Sequence, residues 1–127
     1  MEQPSGTYGK ELILDLSDCN PRTFNRRLLK RFFRELCDLI DMKRCKLAWW
    51  DDHGVPPGER WTDPKVTGTS AVQFISTSSI TVHALDMLGR VYVNIFSCKD
   101  FDESVAREFC RTFFGGSVVK STLLIRN

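Results

Sequence analysis

Hydrophobic and polar residues alternate near the start of the chain, in the run GKELILDLSDC that begins at Gly9. Leu12, Leu14 and Leu16 fall on one side of this alternation, and a period of two is typical of a strand with one buried face. We therefore predict a first strand in this run. Residues 1–8 are polar and contain Pro and Gly, which favours a loose lead-in.

The spacing changes after Asn20, where apolar residues recur at every fourth position. This repeat predicts one amphipathic helix from Pro21 to Met42, with Asn20 as its N-cap. The recurring residues are Phe24, Leu28, Phe32, Leu36 and Ile40. Asp102 is the predicted N-cap of a second helix that ends at Phe114, before Gly115-Gly116.

Short runs rich in apolar residues, bounded by turn residues, predict the remaining strands. They cover Cys45 to Trp50, Ser70 to Ser76, Ile80 to Leu85, Arg90 to Ser97 and Ser117 to Ile125. Together with the two helices they indicate an α+β fold, a two-layer α/β sandwich with a mostly antiparallel sheet and both helices on one face. The length of 127 residues fits a single domain.

The predicted sheet has apolar residues on both faces. The relevant residues, which alternate with others that are themselves partly apolar, are Val72, Phe74, Val91, Val93 and Ile95. We therefore expect the face without helices to meet another surface, most simply a second copy of the chain in a homodimer.

A long connection of residues 51–69 separates two of the predicted strands and contains several Pro and Gly residues. It exceeds the usual length of about 4 to 6 residues, which makes it a candidate functional lid or a disordered segment.

Composition narrows the functional classes without choosing one. Lys plus Arg number 18 against 16 for Asp plus Glu, and this net charge of +2 gives no general argument for a polyanionic partner. The five cysteines lack CxxC or paired Cys/His spacing, which argues against a metal site or a disulfide framework and favours reduced thiols in the cytoplasm. We predict neither an export signal nor a membrane-spanning run.

Candidate reactive groups are few. They are His53 in the long connection, His83 on a strand, and the hydroxyl groups of residues 76–79 between two strands. Taken singly, a Ser/Thr run between strands is typical of a polar turn, and a lone strand histidine is typical of a structural residue. Only their joint arrangement points to a function.

The segments ISTSSITVH and GRVYVNIFSC together resemble the core of the prokaryotic S-adenosylmethionine decarboxylases, which are small self-processing pyruvoyl enzymes. The run GKELILDLSDC is similar to the first strand of that family, and the resemblance extends to the last strand, apart from Asp51 to Thr67. It implies a cytoplasmic lyase, made as a proenzyme, that decarboxylates S-adenosylmethionine in the synthesis of spermidine and other polyamines.

The resemblance also implies roles for individual residues. Ser78 becomes the precursor of a pyruvoyl cofactor, formed by autocatalytic cleavage between Thr77 and Ser78. Ser70, eight positions before Ser78, and His83, five positions after it, correspond to processing residues. Cys98, twenty positions after Ser78, corresponds to the proton donor in turnover.

The implied chemistry explains why these residue types are needed. The serine hydroxyl attacks the preceding carbonyl, and β-elimination then leaves a pyruvoyl group, which forms a Schiff base with the substrate amine and accepts the electrons released with carbon dioxide. Ser70 suits a donor to the developing oxyanion, and His83 suits a base for the Cα proton of Ser78.

The chain departs from the family pattern around these residues. Thr77 replaces the glutamate that precedes the cleaved serine, and Met87 stands where the family has a glutamate that binds the ribose hydroxyls. Asp86 beside it is then the candidate ribose ligand, and Trp61 in the long connection is the candidate aromatic residue that stacks on adenine.

Two alternatives remain within the same scaffold. Some relatives decarboxylate arginine or ornithine, and the acidic residues of the long connection suit a basic side chain. The other alternative is a homologue that does not cleave itself and has a binding or regulatory role.

Nucleic-acid binding is the alternative of another class. It would rest on the basic residues of the first predicted helix, Arg22, Arg26, Arg27, Lys30, Arg31 and Arg34. We disfavour it because the strands lack a paired aromatic platform with Arg or Lys beside it. A solvated helix face, with Glu35 and Asp38 as partners, explains these charges.

Overall fold

The computed structural model describes residues 6–127, which form six strands and two α-helices. The strands are β1 (Gly9–Ser17), β2 (Arg44–Trp50), β3 (Gly68–Ile75), β4 (Ser78–Leu85), β5 (Arg90–Ser97) and β6 (Ser117–Arg126). The helices are α1 (Arg26–Leu39) and α2 (Glu103–Phe114). These elements confirm the predicted α+β architecture, and residues 1–5 of the predicted lead-in lie outside the described residues.

All six strands join one sheet in the order β2-β3-β4-β5-β1-β6, and every neighbouring pair is antiparallel. The alternation in β1 places Leu12, Leu14 and Leu16 on the face that both helices cover, where these side chains are buried. We call this the helix face of the sheet and the opposite one the open face.

The first helix begins later than predicted. Asn20 caps only the one-turn 3-10 helix Pro21–Thr23, and the extended backbone of Asn25 then interrupts the helical path. The side chain of Asn25 accepts a hydrogen bond from the N–H of Leu28 at 2.9 Å, so Asn25 is the N-cap of α1. One continuous helix from Pro21 to Met42 is therefore wrong, because a second cap residue starts a separate helix.

The second helix agrees with its prediction. Asp102 accepts hydrogen bonds from the N–H groups of Ser104 and Val105, and Gly115 ends the helix with a φ of 66°. Aromatic rings from α1 and α2 meet over the helix face, with the Phe32 and Phe114 ring centroids 4.8 Å apart. This aromatic contact joins the two helices into one layer.

The apolar residues expected on both faces of the sheet divide between them. Val91, Val93 and Ile95 are buried under the helices, whereas Val72 and Phe74 lie on the open face. The difference follows from register, because side chains alternate between faces along each strand. The exposed fraction of Phe74 is 45%, so the open face presents apolar surface to its surroundings.

Strands β3 and β4 form the hairpin that carries part of the predicted site. Ile75 pairs with Ser78, and a turn of Ser76 and Thr77 joins the two strands. At the other end of the hairpin Gly68 pairs with Leu85. Residues 51–67 precede β3, so the long connection is slightly shorter than predicted, with a one-turn 3-10 helix at Pro57–Glu59.

Candidate active site

The peptide bond between Thr77 and Ser78 lies at the tip of the β3–β4 hairpin. Thr77 has a φ of 51°, in the left-handed region that β-branched residues rarely adopt. A residue held there costs about 1–3 kcal/mol, and it persists only where the surrounding structure enforces it. Conformational strain is thus stored at the residue that precedes Ser78.

Cys98 lies beside this turn because β4 and β5 are paired. Ser79 is opposite Phe96, so the residue that follows β5 comes next to the start of β4. The backbone N–H of Cys98 donates to Ser78 Oγ at 3.0 Å, and Cys98 Sγ lies 3.6 Å from Thr77 Oγ1. Ser78 is buried, so its hydroxyl oxygen is held in a defined position.

The thiol of Cys98 differs electrostatically from the buried thiols of the core. Hydrogen bonds from the hydroxyls of Thr77 and Ser78 lower the pKa of Cys98. Desolvation acts in the opposite direction, and Tyr8 makes a smaller contribution that also lowers this pKa. Burial instead raises the pKa of Cys19 and of Cys37 to about 11 and that of Cys110 to about 12. Cys98 therefore differs from these three thiols in having a lowered pKa, which favours its thiolate form.

A buried lysine supports the segment that follows Cys98. Lys10 Nζ lies 2.7 Å from Asp100 Oδ1 and 3.0 Å from Glu103 Oε2, and it lies over the ring of Phe101 at 4.7 Å from the centroid. Gly9 lets β1 approach this segment closely, because a Cβ there would lie 2.7 Å from the Cα of Cys98. These contacts tie the Cys98 segment to the sheet.

Ser70 and His83 form a second group at the other end of the hairpin. They are directly opposed in the β3–β4 register, and Ser70 Oγ lies 2.7 Å from His83 Nδ1. Both side chains are on the open face, where His83 is exposed. The structure therefore joins Ser70 to His83, as it joins Thr77 and Ser78 to Cys98.

The two groups are well separated within one chain. His83 follows Ser78 by five positions on β4, so the side chains point to opposite faces. Five positions correspond to about 16 Å along a strand. Neither His83 nor Ser70 can reach the bond between Thr77 and Ser78 in its own chain without a rearrangement of β4.

The second group borders an aromatic cavity of about 450 Å³ on the open face. Trp61 from the long connection lines it together with Trp50 of β2 and Tyr92 of β5. Sequence reasoning missed Trp50 and Tyr92, although the alternation along their strands places both on the face of His83. The lining residues include one lysine, Lys65, and neither an arginine nor a carboxylate.

Asp86 lies in a different cavity. That cavity, of about 370 Å³, is lined by Asp86, by Asp51 and Asp52 from the long connection, and by Arg26 of α1. Burial, with a smaller contribution from Asp52, raises the pKa of Asp86. Arg26 forms a bidentate pair with Asp51, with N–O distances of 2.7 and 2.8 Å. Asp86 is therefore separate from Trp61, the other predicted substrate ligand.

Comparison with known proteins identifies the family. A sequence model of the S-adenosylmethionine decarboxylase family matches residues 10–127. The chain belongs to this family. A comparison with curated protein sequences finds no match.

A solved structure gives independent support for the fold. The crystal structure of the adenosylmethionine decarboxylase from Aquifex aeolicus VF5 superposes with a TM-score of 0.75 at 14% sequence identity. The match covers 95% of this chain and 92% of that one. The family implies a carboxy-lyase that acts on a small-molecule substrate, and the shared sheet and helices confirm the fold expected from the resemblance.

The basic helix of this decarboxylase family member is in part internally paired. Arg31 Nε lies 2.7 Å from Glu35 Oε2, and Arg26 is paired with Asp51. These pairs favour the solvated helix face over a nucleic-acid site. Within residues 6–127 no group of three potential metal ligands occurs, and no helix there has the length and apolar character needed to cross a membrane.

Proposed function

We propose that this family member is a pyruvoyl-dependent decarboxylase of S-adenosylmethionine that matures by cleaving itself between Thr77 and Ser78. The observation that carries the proposal is the hairpin tip. There, the buried hydroxyl of Ser78 follows a strained threonine and contacts the backbone of Cys98. These residues fit the production of a pyruvoyl group, because the serine that must supply it is present beside the proposed proton donor.

The maturation uses atoms of the chain and one water molecule. Ser78 Oγ attacks the Thr77 carbonyl carbon, the bond from that carbon to the Ser78 nitrogen breaks, and the hydroxyl proton passes to that nitrogen, which leaves an ester and a free amine. A base then removes the Ser78 Cα proton, and the Cβ–Oγ bond breaks to release Thr77 as a carboxylate. Water hydrolyses the resulting enamine, through its imine tautomer, and ammonia leaves. Release of the left-handed conformation at Thr77 favours the first step.

We propose that a second copy of the chain supplies the base. The Ser70–His83 pair and the Thr77–Ser78 bond lie at opposite ends of the hairpin. Two open faces packed about a two-fold axis perpendicular to the strands bring one end against the other. The apolar surface of the open face, including Phe74, supports this homodimer. In it, Ser70 serves as oxyanion donor and His83 as base for the neighbouring chain.

In turnover the proposed proton donor is Cys98. The pyruvoyl group supplies a conjugated carbonyl that accepts the electrons released with carbon dioxide. Cys98 then returns a proton to the substrate carbon. Its thiol is close to the site because its own backbone N–H contacts Ser78 Oγ at 3.0 Å.

The aromatic cavity supports S-adenosylmethionine over arginine or ornithine. Trp61 and Trp50 offer flat apolar surfaces on which an adenine ring can stack. A basic side chain would require a carboxylate, whereas Lys65 lines this cavity and the acidic residues of the connection line another. We therefore assign adenine stacking to Trp61. Asp86 lines a different cavity, so it could bind the ribose only after a rearrangement of residues 51–67.

Spermidine synthesis in the cytoplasm is the process that fits this activity. The odd number of cysteines, without CxxC or paired Cys/His spacing, supports a reducing compartment.

Intact mass spectrometry of the purified protein tests the proposal. We expect two fragments that meet between Thr77 and Ser78, with the second beginning in a pyruvoyl group, and an uncleaved Ser78→Ala variant as control. Release of carbon dioxide is then measured with S-adenosylmethionine, ornithine and arginine. A wild-type chain that stays intact on prolonged incubation would overturn the proposal in favour of a binding or regulatory homologue, and activity on arginine or ornithine alone would overturn the substrate.

A further inference from the structure

Tyr8 lies immediately before β1 and makes two contacts with the sheet, although the sequence predicts a loose lead-in there. Its backbone N–H donates to the carbonyl oxygen of Arg126 at 2.8 Å, which extends the β1–β6 pairing by one residue. Its ring stacks on Phe96 of β5, with centroids 6.0 Å apart and an interplanar angle of 24°. Both contacts fix the direction in which the phenol points.

The ring of Phe96 is itself supported by charged neighbours. The guanidinium group of Arg126 lies 5.2 Å from its centroid, and Arg126 donates to Glu11 Oε1 at 2.8 Å. Asn94 donates to the other oxygen of Glu11, also at 2.8 Å. Tyr8 therefore stacks on a ring whose position is set by strands β1, β5 and β6.

The phenol reaches the tip of the β3–β4 hairpin. Tyr8 Oη–H donates toward the carbonyl oxygen of Thr77 at 3.4 Å and lies 3.5 Å from Thr77 Oγ1. That carbonyl belongs to the peptide bond whose cleavage is proposed above. Ser70, by contrast, is hydrogen-bonded to His83 at the far end of the hairpin.

We propose that Tyr8 is a catalytic residue of the self-cleavage, which donates a hydrogen bond to the Thr77 carbonyl oxygen as it becomes an oxyanion. When Ser78 Oγ bonds to the Thr77 carbon, the carbonyl π electrons move to this oxygen, and they return when the bond from carbon to nitrogen breaks. Tyr8 gives up no proton in this step. A donor placed in advance stabilises the tetrahedral intermediate more than the starting amide.

The inference rests on the proposed self-cleavage and adds to it a donor from the same chain. Ser70, as proposed, would reach the Thr77 carbonyl only from a second copy, whereas Tyr8 is within reach before any assembly. The phenol also contributes to the lowered pKa of Cys98, the proposed proton donor.

The test compares wild type with Tyr8→Phe, which keeps the stacked ring and removes only the hydroxyl. Cleavage of freshly purified precursor is followed by intact mass, with and without hydroxylamine, which intercepts the ester and reports the first step separately. Ser121→Ala, which loses an exposed hydroxyl that accepts a hydrogen bond from Arg107, is the matched control. Thermal unfolding of every variant reports whether the fold is retained.

We expect Tyr8→Phe to slow cleavage at least about tenfold in both conditions, with an unchanged unfolding temperature, because one oxyanion donor is lost. Tyr8→Phe cleaving at the wild-type rate would overturn the role of Tyr8 and leave the proposed function intact. The role of Tyr8 would also be overturned if Tyr8→Phe both cleaved slowly and had a lower unfolding temperature, while Tyr8→Leu cleaved no more slowly than Tyr8→Phe. A wild-type chain that stays intact even in hydroxylamine would overturn the proposed function and this inference together.

Discussion

The two ends of the β3–β4 hairpin differ in what they provide. The turn end holds a buried serine, a threonine with a φ of 51° and a cysteine with a lowered pKa. The other end holds the hydrogen-bonded pair of Ser70 and His83 beside an aromatic cavity. One end carries the bond proposed to break, and the other carries the proposed base and the proposed surface for substrate binding.

This division has a simple physical origin. Antiparallel pairing puts residues that are distant in the chain, such as Ser70 and His83, side by side. The pleat of a single strand also sends residues an odd number of positions apart, such as Ser78 and His83, to opposite faces. The proposed site therefore requires both ends, and the proposed two-fold homodimer would bring unlike ends together.

The largest effect is expected from a variant that tests whether His83 of one chain acts on the Thr77–Ser78 bond of another. His83→Ala should slow self-cleavage about 10³-fold, the contribution of a well-placed base. Co-expression with Ser78→Ala should restore cleavage of the His83→Ala chain, because the second chain supplies the missing histidine. Differently tagged chains, resolved by intact mass, report which one is cut. A mixture in which neither chain is cut would contradict the exchange between copies.

A large loss of stability is expected when the support of the turn end is removed. Lys10→Met leaves the largely buried Asp100 without its cation, which costs about 3 kcal/mol in the free energy of unfolding at pH 7. Urea denaturation measures this loss. Lys99→Met is the control, because Lys99 pairs with Asp41 in an exposed position where little change is expected.

The same variant has a defined pH dependence. The hydrogen bond from Lys10 lowers the pKa of Asp100 in the folded protein. The stability gained from this pair is complete above the unfolded pKa of about 4 and disappears as the pH falls through the lowered folded value. The difference between wild type and Lys10→Met should therefore narrow below about pH 4. A constant difference from pH 7 to pH 3 would contradict this assignment.

Cys98→Ala should separate the two reactions of the turn end. Self-cleavage should continue, because the contact with Ser78 Oγ uses the backbone N–H of residue 98. Decarboxylation of S-adenosylmethionine should fall about 100-fold through loss of the proton donor. Cys45→Ala removes an exposed thiol elsewhere on the chain and should leave both rates unchanged. Equal turnover in the two variants would exclude Cys98 as the donor.

The smallest effect is expected at the aromatic cavity. Trp61→Ala should raise the KM for S-adenosylmethionine about tenfold, because stacking of a base on an aromatic ring is worth about 1–3 kcal/mol. Self-cleavage should be unaffected, since Trp61 lines the cavity at the other end. Leu39→Ala, on the helix layer, is the control for loss of an exposed apolar side chain. An unchanged KM would remove Trp61 from the binding surface.

The local elements could be predicted because their signals are local. Alternation in β1 and the caps of α2 depend on neighbouring residues, so both were recognisable from the chain alone. The start of α1 was not, because Asn20 and Asn25 are both good caps and only the folded backbone selects the second. The pairing of Ser70 with His83 depends on where the turn lies. A two-residue turn at Ser76 and Thr77 sets the register in which these two residues are opposite each other.

The sequence by itself determined the residue types of the candidate site and their spacing, and the parity of that spacing already separates Ser78 from His83 by face. Only the tertiary structure decided which groups meet. Tyr8 reaches Thr77 across 69 positions, and Lys10 reaches Glu103 across 93. Such contacts arise because β1 lies between β5 and β6, and this strand order reflects packing of the whole sheet, which no local pattern encodes.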